Sequence, residues 1–386
     1  MGWDRRAADV GQAPEPVVLS RWMLAAGVAL LVGVLLFWLH ASGQVPLLQV
    51  LNIWALAGSP LLLWLLIFSA RAYAYGGALS HHQFLEDEAQ NAQESWQDWA
   101  RRSVAVHACC ALLPDQVSAA VLARGRTDLP PRTGQARRIS VLPSAGDRTQ
   151  ASLQLLVTAV ATALHALPAT QELRVTLLND AGAGQYDALR DAWQRIWASE
   201  KFNLQPTTIT LTDQMSLQWI DDVLKTGSTA FELILVLQVN GKAAYSDGLA
   251  ALLLCSDQLA SACKLPVLAD LLRPMPLDVT TLHSELPLLL QTQTSARLAT
   301  GLLADGAHWQ PTINEIFAIG RAHGAAVKVE QQWIQERLCG LTGPFSHWLI
   351  AALGVEMVLH QPQPLLLLAE EQSQHWINTV IKRELA

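Results

Sequence analysis

Between Arg21 and Arg71 the chain contains no Asp, Glu, Lys or Arg. A surface helix of a soluble domain needs a polar stripe, so an uncharged interval of this length excludes ordinary surface packing. It is long enough for two bilayer crossings, each of which needs about 20 apolar residues. The first reads WMLAAGVALLVGVLLFWLH, Trp22 to His40, and the second runs from Leu47 to Ala70. ASGQVP separates them, and Pro60 falls inside the second, where neighbouring groups can satisfy the freed carbonyl. A cleaved signal peptide fits poorly, because the first run is long and another follows almost at once.

Other absences narrow the chemistry. The five cysteines, at 109, 110, 255, 263 and 339, form no CxxC and no paired Cys/His spacing. That excludes a zinc or disulfide framework and suits a reduced cytoplasmic domain. A formal charge of −7 argues against a nucleic-acid partner. There is no GxxxxGK[ST], no GxGxxG after a strand, no GxSxG and no HExxH. NDAGAGQYDAL (179–189) sits at a strand-to-helix turn but lacks the dinucleotide glycine spacing. Asp221 and Asp222 are adjacent on a helix and point apart. Glu370 and Glu371 with His375 can be written as an acid/base set, although a strand end makes them a solvated exit. The His81–His82 pair reads as solvated, and His165, His283, His308, His323 and His360 lack sequence partners. No metal and no cofactor is expected.

The chain is 51% hydrophobic and 15% charged over 386 residues, ample for a core. Arg5, Arg6 and Arg21 precede the first apolar run, and Arg71, Arg101 and Arg102 follow the second. Flanking cations stay on the cytoplasmic side, which places both termini there. Trp22, Trp38, Trp54 and Trp64 can anchor the spans at the interface or pack between them. Residues 79–113 read as an amphipathic helix with Phe84, Leu85, Ala92, Trp96, Trp99 and Val106 on one face. Arg124–Arg138 is a Pro/Gly/Arg-rich connector.

Beyond it, helical and extended patterns alternate. RISVLPS (138–144), ELRVTLLND (172–180), TTITLTD (207–213) and FELILVLQVN (231–240) read as strands, with helices over 149–167, 184–202 and 216–227. GLAALLLCS (248–256), residues 264–273 and PLLLLAEE (364–371) read as further strands, and 283–303 and 314–324 as helices. Continuously apolar strands alternating with helices indicate an α/β domain with a largely parallel sheet. The expected organisation is a tail (1–20), a transmembrane hairpin (21–71), a helical stalk and linker (72–137) and an α/β domain (138–386).

Three stretches carry a resemblance. SLQWIDDVLKTGSTAFELILVLQVNG is a helix, a Gly turn and an apolar strand; YSDGLAALLLCS enters a strand through Asp247–Gly248; LCGLTGPFSHWLIAALGVEMVLHQPQPLLLLAEE is a Gly-rich loop, a helix and a returning strand. In this order they resemble the thiolase and β-ketoacyl-synthase enzymes, whose domains are two related α/β halves. The resemblance implies a nucleophilic Cys just before the helix at 216–226, and a Gly-rich loop carrying a His near the C-terminus. Here the nucleophile position reads TDQMSL (212–217), without Cys, and His347 lies three residues beyond Pro344 of GPFSHW. An acyl-transfer site needs a thiolate, a base and an oxyanion hole.

A degenerate thiolase-like domain behind a membrane segment also resembles the lipase-adaptor family of bacterial type VI secretion. That implies a non-catalytic inner-membrane adaptor, binding a secretion effector or spike component through its cytoplasmic domain. Two alternatives stand beside it. One is a membrane-tethered acyl-transfer enzyme using Cys339, or the less favoured Cys255, with His347 or His375 as base. The other is a structural subunit of an inner-membrane complex.

Overall fold

The computed structural model describes residues 2–3, 10–43, 48–124, 131–143 and 147–383. Arg5 and Arg6, the second half of the inter-span turn and residues 125–130 of the connector lie outside the described residues. The chain divides into two compact units, one of residues 5–95 and one of residues 1–4 with 96–386.

The first unit holds two helices long and apolar enough to cross a membrane, α1 (Leu19–Ala41) and the first part of α2 (Ile53–Arg101). They pack side by side. A Cβ on Gly33 would lie 2.5 Å from the Ala57 carbonyl oxygen, so only glycine permits this approach. The Trp64 indole donates to the Trp22 carbonyl at 3.2 Å, and Phe68 lies against both rings. Thus Trp22 and Trp64 pack within the pair. Pro60 is accommodated inside α2, which continues unbroken past the expected boundary at 71/72 and ends at Arg101.

The second unit is α/β. Its order is β1 (Ser103–Leu112), α3 (Ala119–Ala123), α4 (Arg148–Ala166), β2 (Leu173–Asn179), α5 (Tyr186–Glu200), β3 (Thr208–Thr212), α6 (Gln218–Thr226), β4 (Phe231–Gln238), β5 (Gly248–Ser256) and α7 (Asp257–Cys263). There follow β6 (Ala269–Leu272), β7 (Met275–Leu277), α8 (Leu282–Thr292), α9 (Thr294–Arg297), β8 (Gly301–Ala304), α10 (Gln310–Ala322), β9 (Gln332–Ile334), α11 (Gln335–Cys339), α12 (Ser346–His360), β10 (Leu365–Glu371) and β11 (Gln374–Lys382).

All eleven strands join one sheet, ordered β3-β2-β4-β5-β1-β6-β11-β10-β8-β9, with β7 beside β11. This order is a duplication. Read outward from the β1–β6 pair, each half runs through two antiparallel joints and ends in three parallel strands. The helices match as well: α4, α5 and α6 occupy the places in the first half that α8, α10 and α12 occupy in the second. The halves meet where β1 and β6 pair antiparallel, with Val104 opposite Leu271.

Strand side chains alternate between faces, so each half feeds two cores. One face gathers α6 and α12 with residues of both halves, among them Val104, Ile234, Leu252, Leu271 and Leu367. The opposite face is covered by α4 and α5 in the first half and by α8 and α10 in the second. Strand β4 is buried throughout because Ile234 and Val236 enter the shared core while Leu233, Leu235 and Leu237 enter the outer one.

Polar ties lock the seam. Arg273, buried after β6, pairs with Asp221 of α6 and stacks over Trp99 at 4.1 Å. Arg102 holds Asp257 with two nitrogens, at 3.1 and 3.2 Å, and donates to the Leu224 carbonyl. Asp247 is fully buried and accepts from Arg138, Arg148 and the Ile139 amide.

Residues 2 and 3 belong to this unit. The Gly2 amide donates to Glu285 at 2.6 Å, and Trp3 packs edge-on against Trp99 at 5.1 Å. A chain whose residues 3 and 96 both lie in one packed unit crosses a bilayer an even number of times between them.

Three expectations need correction. The α/β domain begins at Ser103, not 138: Val106 is in β1, at the centre of the sheet, rather than on an amphipathic helix. Residues 138–143 form no strand; Ile139 is instead tethered by Asp247. The helix expected over 283–303 breaks at Gln293, whose φ of −100° and ψ of 83° are not helical, into α8 and α9, and the chain then enters β8 at Gly301.

Candidate functional site

The loops entering α6 and α12 occupy equivalent places in the two halves, and they converge on one cavity of about 430 Å³. Asp213, Gln214 and Met215 line it from the first half. Thr342–Pro344, Ser346 and His347 line it from the loop and first turn of α12. Asp305 and His308, after β8, and the β10–β11 turn complete the wall.

The α12 loop is shaped by contact. Gly340 has φ +86°, and a Cβ there would meet the Gln135 carbonyl oxygen at 2.0 Å. A Cβ on Gly343 would lie 2.4 Å from the Gln238 side chain, whose Oε1 accepts the Phe345 amide at 3.1 Å. The glycines of CGLTGPFSHW therefore permit a close backbone path.

His347 is buried. A carbonyl only accepts, so the 2.8 Å contact to the Met215 oxygen requires a proton on Nε2. The Trp348 indole donates to the same oxygen at 2.8 Å. Burial lowers the imidazole pKa, and Nδ1 is left without a partner. The ring is neutral, and its proton clamps the first-half loop onto α12.

Asp305 is nearly sealed, with 2% exposure. Its carboxylate accepts from the Gly306 and Glu370 amides, the Trp309 indole and the Ser346 hydroxyl, at 2.7, 2.9, 2.8 and 3.0 Å. Burial raises its pKa while these donors pull it down. Sequence reasoning missed Asp305, which has no local motif; its partners come from residues 306, 309, 346 and 370.

Neither candidate thiol lines the cavity. Cys339 is buried at the end of α11, and burial pushes its pKa to about 12. Cys255 is fully buried in β5, and its thiol is likewise pushed up to about 12 by burial. Its sulfur lies 3.2 Å from His107 Nε2. Because His107 Nδ1 donates to the Pro266 carbonyl at 2.7 Å, Nε2 is the acceptor and the thiol is the donor. That pairing joins residues far apart in sequence, and no spacing announces it. Cys339 and His347 are not brought together in the cavity. His375 lies behind it, on β11, with its ring edge-to-face against Trp309 at 4.9 Å. His81 and His82 sit in α2, within the unit of residues 5–95.

No family model matches the chain, and no curated protein matches it. Solved structures do. One is a chain from the complex of a type II polyketide-synthase acyl-carrier protein with its ketosynthase bound to the hexaketide: 10% identity, 73% of this chain, 99% of that chain, TM-score 0.50. Others are an oxazolomycin ketosynthase domain of Streptomyces albus (11%, 73% and 96%, TM-score 0.45) and Xanthomonas campestris OleA with cerulenin (9%, 74% and 98%, TM-score 0.43). Identity at this level speaks of fold alone. The α/β unit has a thiolase- and ketosynthase-like fold.

Proposed function

We propose that the chain is a non-catalytic, membrane-anchored binding protein whose thiolase-like domain serves as a docking scaffold. In the finer form of this reading it is an adaptor or accessory protein of a bacterial secretion system of the type VI kind. Its partner is then a secretion effector or a spike component. Both apolar helices span the inner membrane, and both termini are cytoplasmic, on the side of the flanking arginines.

One observation carries the reading. The cavity reached by the loops of both halves is lined by Met215 where the resemblance calls for a thiol, and no cysteine is among its lining residues. The Met215 carbonyl is engaged by His347 and Trp348, so the loop is fastened shut rather than presented.

The test is affinity capture of the full chain from detergent-extracted membranes, with identification of the proteins that come with it. Recovery of an effector or spike component supports the adaptor; recovery of neither, under conditions that retain the bilayer proteins, overturns it. A second measurement separates the acyl-transfer alternative. Burial pushes the Cys339 thiol up to about 12, so it is held as the unreactive thiol near neutral pH. It therefore stays unmodified by an alkylating acyl analogue on the folded protein. Rapid stoichiometric labelling there would restore the enzyme reading.

A further inference from the structure

The β10–β11 hairpin places Glu370 directly opposite His375 in register. Side chains opposed in an antiparallel pair project from the same face. The two turn residues, Gln372 and Ser373, have φ of +47° and +71°, the left-handed geometry of a tight hairpin that fixes this register. Strand β8 runs parallel beside β10, with Ala304 opposite Leu368, and its following turn delivers His308 to the same place. His308 Nε2 lies 3.0 Å from a Glu370 carboxylate oxygen. One donor atom from each of His308, Glu370 and His375 falls within 4.8 Å of the others.

We propose that His308, Glu370 and His375 form a binding site for a divalent transition-metal cation of the zinc class. Two imidazoles and one carboxylate are the donor set such ions take with three protein ligands and an open fourth position. Zinc–ligand distances near 2.0–2.2 Å put tetrahedral donors about 3.4 Å apart. The exposed His308 and the half-buried Glu370 need move only about 1 Å to reach that geometry. Two of the ligands, His308 and Glu370, line the cavity, so the open position faces it.

The surroundings hold the ligands in place. The His375 ring is braced by Trp309, whose indole is itself fixed to Asp305. Asp305 also accepts the Glu370 amide and so fixes the strand that carries the third ligand. These are the outer contacts that orient a metal's ligands. The field is favourable as well. Asp213, Asp305, Glu370 and Glu371 line the cavity, and among the described residues no Lys or Arg does. The site needs no thiol and no catalysis. Its open position is one that a His, Asp or Glu of a docked protein could fill. The site stands on its own geometry whether or not the adaptor reading holds.

The test is calorimetric titration of Zn²⁺ into the full chain in detergent, stripped with a chelator and carried on a tag free of histidine. Co²⁺ substitution adds a visible absorption spectrum that reports tetrahedral coordination. One equivalent is expected to bind in a His81→Ala/His82→Ala background, which removes the neighbouring histidines of α2. His308→Ala, Glu370→Gln and His375→Ala are each expected to weaken binding at least tenfold. His360→Ala, at the exposed end of α12 and outside the cavity, leaves it within twofold. Stoichiometric binding that survives the double variant His308→Ala/His375→Ala overturns the site. So does the absence of any binding above the level of a non-specific ion.

Discussion

The two halves of the α/β unit follow one path and put different chemistry at its equivalent points. In the first half the loop after β3 enters α6, nine residues long, and offers the cavity Asp213, Gln214 and Met215. In the second half the corresponding loop enters α12, fifteen residues long and buried along nearly its whole length. That half also contributes Asp305, His308 and Glu370 to the wall. The histidines of the wall and its buried carboxylate thus come from one half. The duplicated frame supplies position, while residue identity at each loop decides whether a position carries chemistry or only contact. The clamp from His347 and Trp348 to Met215 ties that half to its counterpart.

The sharpest way to break this comparison is to cut the tie across the seam. Arg273→Ala removes a guanidinium that is 1% exposed and leaves Asp221 with only the half-exposed Lys225 and Gln218. Losing one partner of such a pair is expected to cost about 3 kcal/mol, read as a shift of the denaturant midpoint in detergent. Next come the central helices. Leu353→Ala in α12 and Leu224→Ala in α6 both truncate fully buried side chains of the shared core. Each is expected to lose about 2–4 kcal/mol, with the larger loss in α12, whose neighbours on all sides leave less room to collapse. Equal losses would mean that the halves share their core evenly.

A further effect is a pH slope in the first half. Glu232 on β4 is buried, and desolvation raises its pKa from 4.5 to about 7. The folded state therefore holds this proton more tightly than the unfolded chain does. The associated stability is complete below pH 4.5 and is lost as pH rises through about 7. Glu232→Gln is expected to flatten the dependence of the unfolding midpoint over that window. An unchanged slope would assign the pH dependence elsewhere.

Much of this frame was legible in the residues. Runs of five or more successive apolar residues marked β4, β5 and β10, as expected of strands buried on both faces. The α5 face, with Trp193, Ile196 and Trp197, was legible from its period. Strand β1 was not. Its SVAVHACCAL follows α2 with a single intervening residue, and small residues sit on both of its faces, so neither a breaker nor an alternation announces it. RISVLPS misled in the opposite sense: Ile139 and Leu142 are buried as loop residues, held by a buried carboxylate more than a hundred positions away. The site was legible only in fragments. Glu370 and His375 were visible as a pair near one strand end, but their third companion, His308, arrives through a parallel strand pairing that no local spacing encodes.

Gly2 and Trp3 rest on partners that are made late. Glu285 and Pro274, which receive the Gly2 amide and the Trp3 indole, leave the ribosome long after both apolar helices have emerged. In a bilayer, the contact can therefore form only once the hairpin has taken its orientation. A chain threaded with its first residues on the opposite face of the membrane from Glu285 could never close it. For a chain whose two apolar helices span a bilayer, the clasp closes only when residues 2 and 3 lie on the same side as Glu285.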